Sequence, residues 1–135
     1  MTLRLLTRTI SPYNGPDLFL GLFTDSGKAL TAREAYIASV LQNDPWGAQS
    51  YRTVDLEADV RVVAVEDRRT AGDGSPIVFL ASAYFEDFGQ VTRRFLAVFS
   101  ERQSALDFAA AQENLPSRVA PNRCEVDEVV VNIRR

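Results

Sequence analysis

Residues 95–115, FLAVFSERQSALDFAAAQENL, join a strand pattern to a helix pattern and decide the predicted fold. The first five residues are all apolar or aromatic, which is typical of a buried strand. Ser100 stands where a helix N-cap belongs and Gln103 follows three positions later, so the pair predicts a capping box. The helix then carries an apolar stripe at spacings of three and four residues, formed by Ala105, Leu106, Phe108 and Ala109.

The same strand-to-helix pattern occurs earlier, in residues 19–30, FLGLFTDSGKAL. When the two stretches are aligned without gaps, apolar residues coincide at five positions. The matched pairs are Phe19 with Phe95, Leu20 with Leu96, Phe23 with Phe99, Ala29 with Ala105 and Leu30 with Leu106. With the strands predicted around each stretch, the chain reads as a ββαβ unit written twice. The predicted units are residues 1–67 and 77–135, with a connector at 68–76.

The predicted fold class is α+β, with two helices packed on a mixed β-sheet in a pseudo-two-fold arrangement related to the ferredoxin-like fold. In each unit, strand two, the helix and strand three form a crossover that is expected to be right-handed and parallel. One unit alone would leave an apolar face and a sheet edge exposed. The units can bury them by joining edges into one sheet with both helices on one face, or by packing face to face. We favour the joined sheet within one compact domain.

The sequence offers two possible starts for the first helix. Thr31 and Glu34 form a second possible capping box, whereas Gly27 weakens an earlier start. The core-facing stripe of this helix is predicted to contain Ala35, Ile37, Ala38, Val40 and Leu41. A strand pattern follows at residues 51–65, and Gly89 marks a turn between the two strands that precede the second helix.

Composition makes several functional classes less favoured without excluding them. A net charge of −3 over 135 residues argues against a protein that binds nucleic acid by neutralising phosphates. No apolar run approaches the roughly 20 residues needed to cross a bilayer. The chain contains no His, and its single Cys, Cys124, reads as a small hydrophobe at a strand start. We therefore expect a cytoplasmic protein without cofactor, and the pattern favours a non-catalytic one.

The second unit resembles a class of small bacterial ββαβ domains of unknown function. The resemblance covers residues 78–132 and rests on three phrases: Val98-Phe99-Ser100-Glu101, the Ala-rich helix at 105–111, and Glu125-Val126-Asp127-Glu128. The first unit fits this pattern only loosely. What the resemblance implies is a small module that is often an accessory protein.

Carboxylates alternate along one predicted strand at Asp55, Glu57 and Asp59, so their side chains should share one face. They could hold a hard cation or present an acidic stripe to a basic partner. They could also form a solvated outer face that discourages edge pairing, and this interpretation is favoured because metal ligands usually come from more than one element. The same interpretation applies to the later acidic residues Glu125, Asp127 and Glu128.

Arginine pairs and a single Trp are the other candidate binding residues. Arg68 with Arg69 and Arg93 with Arg94 could clasp a phosphate or an acidic protein surface, or they could simply balance surface charge. A third pair, Arg134 and Arg135, closes the chain. Trp46 lies in a predicted loop, where it could anchor a partner or fold back over the core.

These observations favour a cytoplasmic protein-binding or accessory module, of which an inhibitor or immunity-type protein is one example. The alternative is a small-molecule binder or enzyme with a cleft between the two units, lined by Tyr36, Tyr84 or Phe85. A third hypothesis is nucleic-acid binding through the arginine pairs. Partner-binding residues are predicted to be Trp46 and the acidic strand residues, and a homodimer is also possible on this pattern.

Overall fold

The computed structural model describes residues 2–8, 17–40, 51–59 and 76–134, with the backbone alone at 40 and 51–59. The described elements are β1 (Thr2–Arg8), β2 (Leu18–Phe23), α1 (Ser26–Val40), β3 (Tyr51–Asp59), β4 (Ile77–Asp87), β5 (Gln90–Phe99), α2 (Arg102–Glu113) and β6 (Arg123–Val130). The predicted α+β class is confirmed. Neither helix in this described part is long and apolar enough to cross a membrane.

The strands form two antiparallel sheets in the order β2-β1-β3 and β5-β4-β6. A short parallel pairing of β3 with β5, at Ala58 with Val98 and Asp59 with Phe99, joins them. Because β2 and β3 both run antiparallel to β1, they are parallel to each other, as the crossover prediction requires. The far edges also meet, since the Asn132 backbone N–H donates to the Leu22 carbonyl at 2.7 Å. The joined sheet therefore curls until its two ends touch.

The core consists of two apolar layers on opposite faces of this curled sheet. The inner layer contains no helical residue and is made of Leu3, Leu5, Leu22, Val78, Leu80, Val98, Val129 and Val131. On the outer face, α1 packs Ala29 and Ile37 against β1 and β2. Helix α2 packs on the outer face of the second sheet, where its Phe108 ring lies 5.3 Å from that of Phe99. The structure thus shows two antiparallel sheets joined through β3 and β5, with a helix packed on each sheet.

The predicted N-cap of α2 at Ser100 is wrong. Helix α2 begins at Arg102 with Glu101 as the N-cap residue, and the Glu101 side chain makes no capping hydrogen bond. Gln103 instead donates to the Asp107 carboxylate one turn later. Leu106 was placed in the core stripe, yet it is 44% exposed. Small residues fill the contact with the sheet instead, since only Ala105 and Ala109 are buried among the residues of α2.

Helix α1 begins at Ser26, so the predicted capping box at Thr31 is also wrong. The Asp25 carboxylate accepts from the Lys28 backbone N–H at 2.8 Å, which caps the helix despite Gly27. The Thr31 hydroxyl donates to the Gly27 carbonyl within the helix. The side of α1 that faces the sheet also differs from the prediction: Ile37 is buried, whereas Ala35 and Ala38 are exposed. The side chains of Val40 and Leu41 lie outside the described residues.

Candidate functional site

An inner polar cluster lies where strands β4, β5 and β6 meet at the inner face. Its members are Ser82 and Tyr84 of β4, Arg93 of β5, and Arg123, Glu125 and Asp127 of β6. Strand register explains this convergence, because Tyr84 is directly opposite Arg93 on one side and Arg123 on the other. Ser82 is likewise opposite Glu125. Alternate residues of a strand share a face, so these polar groups follow Val78 and Leu80 along the same side of β4.

Arg93 is the centre of the inner polar cluster. Its Nε and Nη2 both donate to the Ser82 hydroxyl at 3.2 Å, and Nη2 also donates to Asp127 Oδ2 at 3.1 Å. Ser82 is fully buried and the Arg93 side chain is 12% exposed. The guanidinium lies over the Phe95 ring, 4.6 Å from its centroid, and 5.4 Å from that of Tyr84. A planar cation is thus held by two acceptors and two rings.

Tyr84 extends this stacking towards β6. Its hydroxyl donates to Glu125 Oε2 at 2.8 Å, and the Arg123 guanidinium lies 3.8 Å from its ring centroid while pairing with Glu125. Burial and the hydrogen bond to Glu125 raise the pKa of Tyr84 above 10.0. Burial opposes ionisation of Glu125, but the hydrogen bonds from Tyr84 and Arg123 outweigh it and lower the Glu125 pKa. The pKa values of Tyr84 and Glu125 are therefore both shifted away from neutral pH, whereas general acid–base catalysis is most efficient with a pKa near the working pH.

Cys124 lies beside the inner polar cluster, next to Arg123 and Glu125 on β6. Burial and the neighbouring Glu113 carboxylate raise the pKa of its thiol, which disfavours the reactive thiolate. The Cys124 backbone N–H donates to Glu113 Oε1 at 2.8 Å, linking β6 to the end of α2. The predicted structural role is compatible with this half-buried position.

A second feature, the outer groove, lies on the opposite face of the same hairpin and has a volume of about 750 Å³. Its floor includes Phe85, over which the Arg94 guanidinium lies 4.9 Å from the ring centroid. Asn122 fixes the loop at one side, because its N–H donates to the Tyr84 carbonyl and its Oδ1 accepts from the Glu86 N–H. The lining also contains Asp87, Thr92, Glu113, Leu115, Ser117, Arg118, Ala120 and Pro121.

The turn beside the outer groove presents an aromatic side chain to solvent. Phe88 is 97% exposed and has a φ of +51°, and Gly89 follows with a φ of +78°. Two successive positive φ values define a two-residue hairpin turn in which Asn-Gly is the preferred sequence. A bulky residue in this conformation carries a backbone strain energy of roughly 1–3 kcal/mol. Phe88 thus combines backbone strain with full exposure of an apolar ring.

The described part of the structure does not bring the predicted site residues together in one place. Arg93 and Arg94 lie on opposite faces of β5, so the structure does not bring their guanidinium groups together. Asp55, Glu57 and Asp59 lie on β3, where their backbones pair with Arg4, Thr2 and Phe99 respectively. Their side chains lie outside the described residues, as do Trp46, Arg68 and Arg69 entirely.

The later acidic residues each have an arginine partner. Glu125 pairs with Arg123, Asp127 with Arg93, and Glu128 with Arg102. Across residues 2–8, 17–40, 51–59 and 76–134, no group of three or more His, Cys, Asp or Glu side chains is arranged to hold a metal ion. The contacts of the later acidic residues fit ion pairs between structural elements.

Ser82 and Phe88 were not singled out by the sequence. A lone Ser inside an apolar strand, as in residues 77–85, is a signal for a buried hydrogen-bonded group. Phe88 precedes Gly89 between two strand patterns, and this hairpin signal identifies it as a turn residue. An aromatic residue at such a position is the anomaly that could have been noticed.

Comparisons with family models, with curated proteins and with solved structures found no match to this chain. Its function is therefore inferred from its own residues and their geometry. Folds host many functions, so the inference depends on the chemistry of the inner polar cluster and the outer groove.

Proposed function

We propose that this protein is a non-catalytic, cytoplasmic protein-binding module of the accessory or inhibitor type. The observation that carries the proposal is the exposed Phe88 beside the outer groove. Aromatic residues and Arg are enriched at protein–protein interfaces, where a polar rim surrounds them. Aromatic and Arg side chains at the centre of such surfaces supply most of the binding energy, and this surface offers Phe88, Arg94 and Arg118.

A ligand cleft between the two halves is the weaker proposal. The eight inner-layer residues are each at most 3% exposed, so described side chains fill the space where the sheets face each other. The three aromatic residues expected to line the cleft occupy three separate environments. Tyr84 is stacked between arginines, Phe85 lines the outer groove, and Tyr36 lies on α1 with Arg134 over its ring.

Nucleic-acid binding through the arginine pairs is weaker still as a proposal. Arg93 is hydrogen-bonded inside the inner polar cluster, and Arg94 is on the other face of the strand. A groove that binds a phosphate backbone needs cations along one continuous surface. The outer groove instead mixes Arg94 and Arg118 with the acidic residues Glu86, Asp87 and Glu113.

We also infer that the two halves are copies of one ββαβ unit. The elements follow the order strand, strand, helix, strand in each half, and β2 and β5 end at the aligned Phe23 and Phe99. The strand register skips Leu20 in one hairpin and the aligned Leu96 in the other. A relation to the ferredoxin-like fold, and the resemblance of residues 78–132 to small bacterial ββαβ domains, belong to this same proposal.

Affinity capture with matched variants tests the proposed function. Tagged wild-type chain, Phe88→Asn and Leu30→Asn would each be incubated with native lysate, and captured proteins identified by mass spectrometry. Leu30 is the control because it is also an exposed apolar residue, at 48%, but lies on α1 in the other half. Wild type and Leu30→Asn should retain the same stoichiometric protein, and Phe88→Asn should lose it. Equal capture by all three chains, or no captured protein, would overturn the assignment.

A further inference from the structure

We propose that the partner of the outer groove is a second copy of this chain. In this two-fold dimer, Phe88 of each copy lies in the outer groove of the other. The inference rests on the proposed function, because it assigns a partner to the same surface. It is carried by a strained, exposed aromatic residue and by a groove of both charge signs at the same end of the molecule.

Phe88 has no cover within its own chain. At 97% exposure its ring has almost no contact within the chain, and it is not part of the lining of the adjacent groove. Asn tolerates a positive φ better than Phe, so Asn at this position would relieve the backbone strain. It would also remove the exposed ring at no cost to the core. A Phe in this place is therefore explained by a contact outside the chain rather than by folding.

The position of Phe88 relative to the groove suits a symmetric contact. Two-fold interfaces use the same patch on both copies, so one patch must contain both the inserted group and its receptor. Glu86 and Asp87 lead directly into Phe88 and themselves line the outer groove. Leu115, which is 41% exposed, supplies apolar surface in the same lining. Phe88 and the outer groove thus lie side by side on one patch. A two-fold axis can therefore relate the two contacts, in each of which Phe88 of one copy enters the groove of the other.

Charge favours a second copy over a partner of a single charge sign. The turn carries Glu86 and Asp87, and the groove lining combines these acids and Glu113 with the cations Arg94 and Arg118. When Phe88 of one copy enters the groove of the other, the acidic residues beside it approach these arginines. The two-fold axis repeats the contact, so each copy supplies both acids and both cations. Such complementarity sets orientation and suppresses other partners.

Sedimentation equilibrium of the purified chain from about 1 μM to 1 mM tests the self-association, since small interfaces of this kind bind weakly. Wild type should reach dimer mass within this range. Phe88→Asn should raise the dissociation constant at least tenfold, and Leu30→Asn should leave it unchanged. A wild-type chain that stays monomeric throughout, or a Phe88→Asn chain that dimerises equally well, would overturn the proposal.

A charge exchange tests the two-fold geometry directly. Asp87→Lys and Arg118→Glu each place like charges at both contacts of a homodimer, so each alone should dimerise more weakly. An equimolar mixture should form a heterodimer, because Lys at one position then meets Glu in the partner and the unchanged Asp87 meets the unchanged Arg118. A mixture no stronger than either variant would contradict this geometry. If the chain is monomeric but captures a different protein through Phe88, self-association fails and the proposed function stands.

Discussion

The ring centroids of Phe19 and Phe95 lie 6.0 Å apart, with the ring planes tilted by 44°. The two residues occupy matched positions in the gap-free alignment of the halves, and each packs against the inner apolar layer. Equivalent residues meet in this way when they lie close to a two-fold axis. Residues of both halves therefore pack in one apolar core.

Truncation in the inner layer should destabilise the whole molecule. Leu80 is fully buried there, so Leu80→Ala should lower the free energy of unfolding by about 2–5 kcal/mol. Leu106→Ala, at an exposed position of the second half, should change it by less than about 1 kcal/mol. Urea unfolding followed by circular dichroism should show one transition for both variants. Separate transitions for two halves would contradict a shared core.

Neighbouring arginines of β5 should differ sharply in their contribution to stability. Arg93→Met removes both hydrogen bonds to buried Ser82 and leaves Asp127 without its partner, so a loss of about 2–4 kcal/mol is expected. Arg94→Met removes a more exposed cation over Phe85 and should cost less than about 1 kcal/mol. Chemical denaturation of the two variants provides the comparison. Equal losses would show that the inner polar cluster does not hold the strands together.

Acid should remove the stabilising contribution of Glu125. Its pKa is lower in the folded state than the ordinary 4.5, so its contribution is present above about pH 4.5 and is lost as pH falls through the folded-state value. Glu125→Gln lacks this proton-linked contribution. The difference in unfolding free energy between wild type and the variant should therefore shrink between pH 7 and pH 3. A difference that stays constant over this interval would argue against the ionised contacts with Tyr84 and Arg123.

Replacing Phe88 should stabilise the fold while it removes binding. Asn tolerates the positive φ at this turn position, so Phe88→Asn should raise the free energy of unfolding by about 0.5–1 kcal/mol. Gly89→Ala, at a φ of +78°, should instead lower it by about 1 kcal/mol. Thermal unfolding of dilute protein measures both changes. A destabilised Phe88→Asn would mean that the ring has a folding role, which its exposure does not suggest.

Asn132 should contribute to closing the curled sheet. Its Oδ1 accepts from the Thr24 backbone N–H at 2.9 Å and from the Thr24 hydroxyl at 3.2 Å, and its own φ is +67°. Asn132→Gly keeps the backbone conformation but loses these bonds, so a loss of about 0.5–1.5 kcal/mol is expected. Asn114→Ala at the end of α2 is the surface control. Increased hydrogen exchange at Thr24 in the Gly variant would locate the effect.

Sequence patterns were sufficient to predict the helices and strands and their order along the chain, because buried strands and the Ala-rich helix have distinct periodicities. Helix starts were less predictable. Ser100 and Thr31 both match N-cap preferences, but Glu101 and Asp25 take the positions before the helices. Intrinsic capping preferences of about 1 kcal/mol are small compared with the packing that places Ala29 and Ala105 on the sheet.

The site was less predictable than the fold. Curling of the sheet decides that Arg93 faces inward while Arg94 faces the outer groove, and strand alternation alone does not say which of the two is buried. The partners of Arg93, Ser82 and Asp127, come from strands that are distant in sequence. The strain at Phe88 depends on a backbone angle, which a sequence indicates only through its neighbour Gly89.

Photo-crosslinking at position 88 tests the binding surface most directly. A benzophenone-bearing aromatic residue would replace Phe88 in one chain and Leu30 in a control chain, and both would be irradiated in native lysate and in purified form. We expect an adduct from position 88, with the mass of two chains in the purified sample, and none from position 30. No adduct at position 88 under either condition, or equal adducts at both positions, would contradict the claim that this turn and groove bind a protein.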